Sequence, residues 1–251
     1  MRSSPVTHKL HKMLAQEGLG SRRNMEALIE SGRVTVNGKI AALGARVSPK
    51  DEVRVDKRIV KLRFIPDLPR ILIYHKPEGE IVSRADPEGR PSVFDKLPRI
   101  QTGKWIAVGR LDYNTSGLLI FTDSGELANR LMHPRFEVER EYSVRIRGAL
   151  QPEHIKKLLT GIKLEDGEAK FEILKAQGGE SSNRWYRVVV REGRNRLVRR
   201  MFEALGFTVS RLMRVRYGEI HLPSHLQRGK FVELLQKKAA QISAWAERKK
   251  S

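Results

Sequence analysis

The chain has 251 residues, with 49 Lys and Arg against 29 Asp and Glu, a formal net charge of +20 and a pI near 10.5. So large a basic excess favours nucleic acid or another anionic surface as partner, and at 39% apolar the chain can still build a packed core. No apolar run approaches the ~20 residues of a spanning helix. The first twelve residues lack an apolar signal segment, so no membrane partner and a cytoplasmic location are expected. The absence of cysteine excludes disulfides, thiolate catalysis and cysteine-bound zinc.

Residues 7–57 read as one small unit. Leu10, Met13 and Leu14 share a helical face that Gly18-Leu-Gly20 ends. Ser21 suits the N-cap of a second helix, with Met25, Leu28 and Ile29 inward and Gly32 as its stop. Val34 and Val36 alternate into Asn37-Gly38, a strong hairpin turn signal, and Asp51-Glu-Val-Arg-Val-Asp56 reads as another short strand. Through residue 66 there are 14 Lys and Arg against 6 Asp and Glu. Arg22 and Arg23, on the first turn of the second helix, are placed to meet the phosphates of a folded RNA; the alternative is a merely solvated face.

Residues 58–70, with two prolines, read as a linker. A longer series of strands and helices follows over 71–236, and a basic helical tail over 237–251. Ile71–Tyr74 and Leu118–Phe121 look like buried strands, Tyr142, Val144 and Ile146 alternate, Trp185–Val190 forms a further strand, and Arg228–Leu235 a final one. Helices are expected before Pro134, from Pro152, and through Leu197, Met201, Phe202 and Leu205. Without regular βαβ spacing, the fold class is α+β with a mixed, mostly antiparallel sheet.

Three places can carry chemistry. Asp112 sits on a Gly- and Asn-containing turn between two apolar runs, where a sheet can aim it; alone, an Asp in a turn is most often structural. Tyr142 is either a core aromatic or a ring that stacks on a base with its hydroxyl free for proton transfer. Between Arg184 and Arg216 lie ten Arg, two Glu and no Lys. Arg rather than Lys is what bidentate phosphate binding requires. Within that stretch Arg194 and Arg196 occupy a glycine turn entering a helix, an anion-binding arrangement. Arg199 and Arg200 follow one helical turn on, and an inward Arg needs a counter-charge, for which Asp112 is a candidate. The seven His form no convincing ligand cluster, no phosphate-cradling glycine motif exists, and no group of carboxylates suits a metal-dependent nuclease. No cofactor and no metal are expected.

Taken in order, these segments resemble a family. Gly109-Arg-Leu-Asp-Tyr-Asn-Thr-Ser-Gly-Leu-Leu is similar to the catalytic-loop motif of the ribosomal-RNA pseudouridine synthases of the small-subunit-A and large-subunit-B type. Glu139-Arg-Glu-Tyr142, Glu192-Gly-Arg-Asn-Arg-Leu-Val-Arg-Arg-Met-Phe and Val209-Ser-Arg-Leu-Met-Arg-Val-Arg-Tyr-Gly-Glu-Ile resemble its later motifs, and residues 7–57 its small alpha-L RNA-binding domain. The run Asp86-Pro-Glu-Gly-Arg-Pro-Ser-Val-Phe-Asp95 looks most like the large-subunit branch. The resemblance implies isomerisation of a uridine in large-subunit ribosomal RNA or a ribosome precursor, by a monomer needing no cofactor. It makes Asp112 the carboxylate acting at the ribose, Arg199 its ion-pair partner, and Tyr142 the ring against the uracil. Leu212 would pack near the base, with Arg110, Arg194 and Arg196 binding substrate beside it. The alternatives are an RNA-binding assembly factor without activity and a DNA binder.

Overall fold

The computed structural model describes residues 7–64, 68–100, 103–179 and 183–248. They form two compact units, the first holding the chain up to Pro69 with Arg99–Trp105 and Asp123–Gly125, the second the remainder. Among the described residues no helix is long and apolar enough to cross a membrane.

In the first unit, helices α1 (Leu10–Gln16) and α2 (Arg22–Glu30) bury Leu10, Met13, Leu14, Met25 and Ile29. Ser21 caps α2 by accepting from the Asn24 amide at 3.1 Å, as its residue type suggests. A four-stranded antiparallel sheet adds Val34 and Val53 to the same core: β1 (Val34–Val36), β2 (Lys39–Ile40), β3 (Val53–Val55) and β4 (Arg58–Val60). Asn37 and Gly38, both with positive φ, close the β1–β2 hairpin.

Strand β4 corrects the linker drawn over 58–70. Arg58–Val60 pair with Val53–Val55, and Leu62 and Phe64 pack on the small core. The turn that returns the chain is Asp56-Lys57, where two residues other than glycine adopt positive φ. Arg33 stabilises it by donating twice to the Asp56 carboxylate, at 2.7 and 2.6 Å. Pro66 lies outside the described residues.

Besides a separate hairpin of Ile162–Leu164 and Gly167–Ala169, the second unit is built on a nine-stranded sheet. Its main path runs β9 (Ile173–Gly178), β10 (Asn183–Val190), β8 (Arg140–Arg147), β11 (Val209–Tyr217), β7 (Ser116–Thr122), β5 (Ile71–Lys76), β12 (Phe231–Glu233), with β6 (Ile106–Val108) on β7 and Ile220–His221 on β11. All pairings are antiparallel except β11 with β7, which touch in parallel at only Met213–Ser116 and Arg214–Gly117. A Cβ on Gly117 would lie 2.2 Å from the Arg214 carbonyl oxygen, so this close approach requires glycine.

Each half of the sheet has its own core. Leu118 and Ile120 of β7 join α3 (Gly125–Met132) and α6 (Gln236–Arg248) in one. Val144, Ile146 and Val188 join α4 (Pro152–Thr160) and α5 (Leu197–Glu203) in the other. The period-2 alternation of β8 and β10 is what turns these residues to one face. The basic tail is largely helix α6, which buries Ala239, Ile242 and Ala246. A Cβ on Gly218 would come within 2.2 Å of the Trp245 ring, so that glycine admits the helix.

Candidate active site

The loop from β6 to β7 turns at Asp112, where the Thr115 amide donates to the Asp112 carbonyl at 3.0 Å. The turn is held from two sides by buried cations. Lys76, at the end of β5 and 0% exposed, donates through Nζ to the carbonyls of Asp112 (3.0 Å), Thr115 (2.9 Å) and Pro77 (3.0 Å). Burial pushes its pKa down to about 8, against the nearby negative charges of Glu80, Asp112 and Glu78. From α5, Arg199 donates to the Asn114 carbonyl at 2.7 Å and the Val209 carbonyl at 2.9 Å.

This corrects the ion pair expected between Arg199 and Asp112. Among the described residues the guanidinium and the carboxylate form no ion pair within 4 Å. Arg199 is 7% exposed, and its two terminal nitrogens are taken by the carbonyls of Asn114 and Val209. The Asp112 carboxylate is half-buried and lines the main cavity. The coupling is electrostatic: burial and Arg196 lower the Arg199 pKa, and the charge of Asp112 opposes them. Arg199 therefore shapes the backbone that presents the acid.

The cavity holds about 910 Å³ and lies on the core-facing side of the sheet. Register places Tyr142 opposite Arg214, and Val144 opposite Leu212, so Tyr142, Leu212 and Arg214 share one face and all three line the space around Asp112. Arg110, Arg194 and Arg196 line it too. Arg110 is exposed and makes no ion pair among the described residues. Arg196 starts α5 in the left-handed region at φ 49° and lies 3.6 Å from Glu203.

Arg194 differs from the expected phosphate ligand. Its guanidinium donates to Glu192 at 2.7 and 3.0 Å, to Asp166 at 2.9 Å and to the Glu168 carbonyl at 2.8 Å. Those bonds tie the turn to the hairpin of Ile162–Leu164 and Gly167–Ala169. Glu192 raises its pKa, and no donor is left over for a phosphate. Arg200 is likewise bonded to both Asp166 oxygens at 2.8 Å. Arg22 and Arg23 belong to the first unit and are not among the residues lining this cavity.

Sequence reasoning missed three cations here. Lys76 follows Leu72 and Tyr74 at period 2 on an otherwise apolar strand, which is the signal that it is buried. Arg214 follows Leu212 in the same way. It is 2% exposed, donates through Nε to the Leu118 carbonyl at 2.8 Å, and leaves one terminal nitrogen without a hydrogen-bond partner. Arg140 bonds the Arg191 carbonyl at 2.7 Å and the Tyr217 hydroxyl at 3.0 Å, which in turn donates to the Leu131 carbonyl at 2.8 Å.

An acid at the wall of a cavity, an aromatic hydroxyl across from it and a cationic rim suit work on a nucleotide taken out of its stack. The family model for RNA pseudouridylate synthases matches residues 70–204. The chain belongs to the RNA pseudouridylate synthase family. A model of the S4 domain matches residues 9–53, within the first unit. Relatives of this chain include the ribosomal large subunit pseudouridine synthase B of Pseudomonas aeruginosa, 55% identical over 93% of this chain and 61% of that protein. The protein of the same name from Escherichia coli K12 is 55% identical over 91% of this chain and 80% of its own length. The chain thus spans about three-fifths of the first relative and four-fifths of the second. Among solved structures, a pseudouridylate synthase superposes with a TM-score of 0.64 at 25% identity, covering 93% of this chain and 99% of that one.

Proposed function

We propose that this synthase isomerises a specific uridine of large-subunit ribosomal RNA to pseudouridine. The observation that carries the reading is the half-buried Asp112 carboxylate facing the same cavity as Tyr142 and Leu212, in a chain 55% identical to two relatives named for that activity. The target nucleotide leaves its stack and enters the cavity. Asp112 acts at the ribose anomeric carbon as that carbon's bond to uracil nitrogen one breaks. The freed uracil turns against Tyr142 and Leu212. A new bond then joins the anomeric carbon to carbon five, whose proton is lost while nitrogen one gains one. Tyr142 is the group placed to receive the carbon-five proton. Bonds and protons balance without an added group.

Lys76 and Arg199 keep the Asp112 turn in one geometry, and such positioning is worth orders of magnitude in rate. Arg110 and Arg196 meet the flanking phosphates, whereas Arg194 holds the wall. Arg22 and Arg23 dock the first unit on folded RNA. The reading takes the protein as a cytoplasmic monomer, and light scattering of the purified chain checks the latter.

The test is release of the carbon-five hydrogen from labelled uridine in large-subunit ribosomal RNA. Asp112→Asn should release none while binding RNA nearly as tightly as wild type. Full turnover by Asp112→Asn would end the proposal. An inert wild type that still binds would instead leave an RNA-binding assembly factor.

A further inference from the structure

The strand pleat that turns Tyr142 and Arg214 toward the cavity turns the alternate residues to the opposite side of the sheet. There the pairs Ser143–Met213 and Arg145–Arg211 lie across β8 and β11, and Trp185 of β10 stands beside Arg145. Arg145, Trp185, Arg211 and Met213, together with Ser116, Glu78 and Arg228, line a second groove of about 240 Å³. It lies behind the short parallel contact of β7 with β11, of which Ser116 and Met213 are the first pair.

Two ends of this same face treat their cations differently. Toward one end, Arg187 and Arg216 both bond Glu141, at 2.6 and 2.8 Å, and Arg191 lies 3.5 Å from Glu139. At the groove, Arg145, Arg211 and Arg228 have no carboxylate within 4 Å among the described residues. Arg145 is steadied by the Ser210 hydroxyl at 3.0 Å, with its guanidinium 5.7 Å from the Trp185 ring centre. The side chains of Arg211 and Arg228 are exposed and make no ion pair among the described residues. Three uncompensated guanidiniums around a half-buried indole form a combination that suits an unpaired nucleotide: a ring for the base and fixed cations for its phosphates. Glu78, the single acid on the rim, can accept from the N–H edge of a base.

We propose that this groove is a second RNA site, which takes an unpaired nucleotide of the substrate on the side of the sheet away from Asp112. The inference rests on the synthase reading for the identity of the RNA. The groove adds affinity and register rather than chemistry, because none of its side chains lines the catalytic cavity.

The experiment uses the full chain and the shortest large-subunit ribosomal RNA transcript that the wild type modifies at its full kcat/KM. Trp185→Ala should raise Kd and KM about tenfold, the effect of one lost base stack, with kcat at saturating RNA unchanged. Trp185→Phe should keep the affinity while abolishing the RNA-induced quench of the Trp185 emission. The double variant Arg211→Gln, Arg228→Gln should lower the slope of log K against log salt by about 1.4, two single-strand phosphate contacts. Wild-type Kd, salt slope and quench in these variants would overturn the site. So would unchanged RNA affinity combined with weaker capture of ribosomal precursor particles, which would point to a protein on this face. An inert wild type whose Trp185 is still quenched by RNA would remove the synthase reading and leave the groove standing.

Discussion

The cations of the helix pair in the first unit and those around the Asp112 loop in the second are used in different ways. In the first, Arg22 and Arg23 stand exposed on the opening turn of α2 and make no ion pair among the described residues. In the second, Lys76 and Arg199 are buried, and they donate to the carbonyls of Asp112 and Asn114 in the loop before β7. A carbonyl outside any ladder still needs a partner once it is buried. A guanidinium, with a planar fork of donors, satisfies two such groups at once. The same residue types therefore stand in two settings: exposed and without an ion pair on the surface, as the proposed RNA docking requires, and in the interior bonded to the carbonyls that shape a loop.

The contrast can be broken by substitution. The largest effect is expected inside. Arg199→Lys keeps the charge but cannot reach the Asn114 and Val209 carbonyls together. Its kcat should fall at least about 100-fold, the scale of a misplaced reacting group, with near-wild-type RNA affinity by filter binding. Activity above about one-tenth of wild type would mean that charge alone, not the fork, sets the loop.

Lys76 sharpens the comparison through pH. Its pKa in the folded state is about 8, below its ordinary value, because burial disfavours the ammonium. Between about pH 8 and the unfolded value the unfolded chain binds more protons, so this group's contribution to stability rises with pH. Over the same window the neutral amine has one donor fewer for its three carbonyls, so kcat should fall. Lys76→Met should show neither trend, with a kcat at pH 7 at least about tenfold below wild type. Parallel pH profiles of kcat and melting temperature for the two proteins check this, and a wild-type profile flat through pH 8 would refute it.

The smallest effect is expected outside. Arg22→Gln with Arg23→Gln should raise KM several-fold, leave kcat unchanged, and reduce the salt slope by about 1.4 to 1.8. A change in kcat would show that these cations do more than dock.

Much of the architecture was legible because period-2 and helical apolar spacing are local signals. Ser21, Asn37-Gly38, Pro152 and the alternation of Val144 with Ile146 each occur where the corresponding element begins or runs. The Asp56-Lys57 turn was not legible: neither residue is glycine, so nothing marked the return into β4, and the linker was drawn too early. Helix α6 was visible as a helix, but its burial depends on Gly218 making room for Trp245, a contact between residues far apart in sequence. Asp112 and Tyr142 could be singled out from the turn and strand pattern, and Leu212 only from the family resemblance. The bonding of Arg194 and Arg199 could not, since which carbonyl or carboxylate fills a guanidinium fork depends on loops that meet only in space.

Sequence alone determined the class of partner, the α+β character and the position of one acid on a turn, because charge, hydrophobic period and turn chemistry act over a few residues. Only the tertiary structure decided that Arg199 binds backbone carbonyls and not the Asp112 carboxylate. It also left a tryptophan with three unpaired guanidiniums on the far side of the sheet. Both outcomes follow from strand register and from the need of every buried polar group to find a partner, and neither is set by neighbours in the chain.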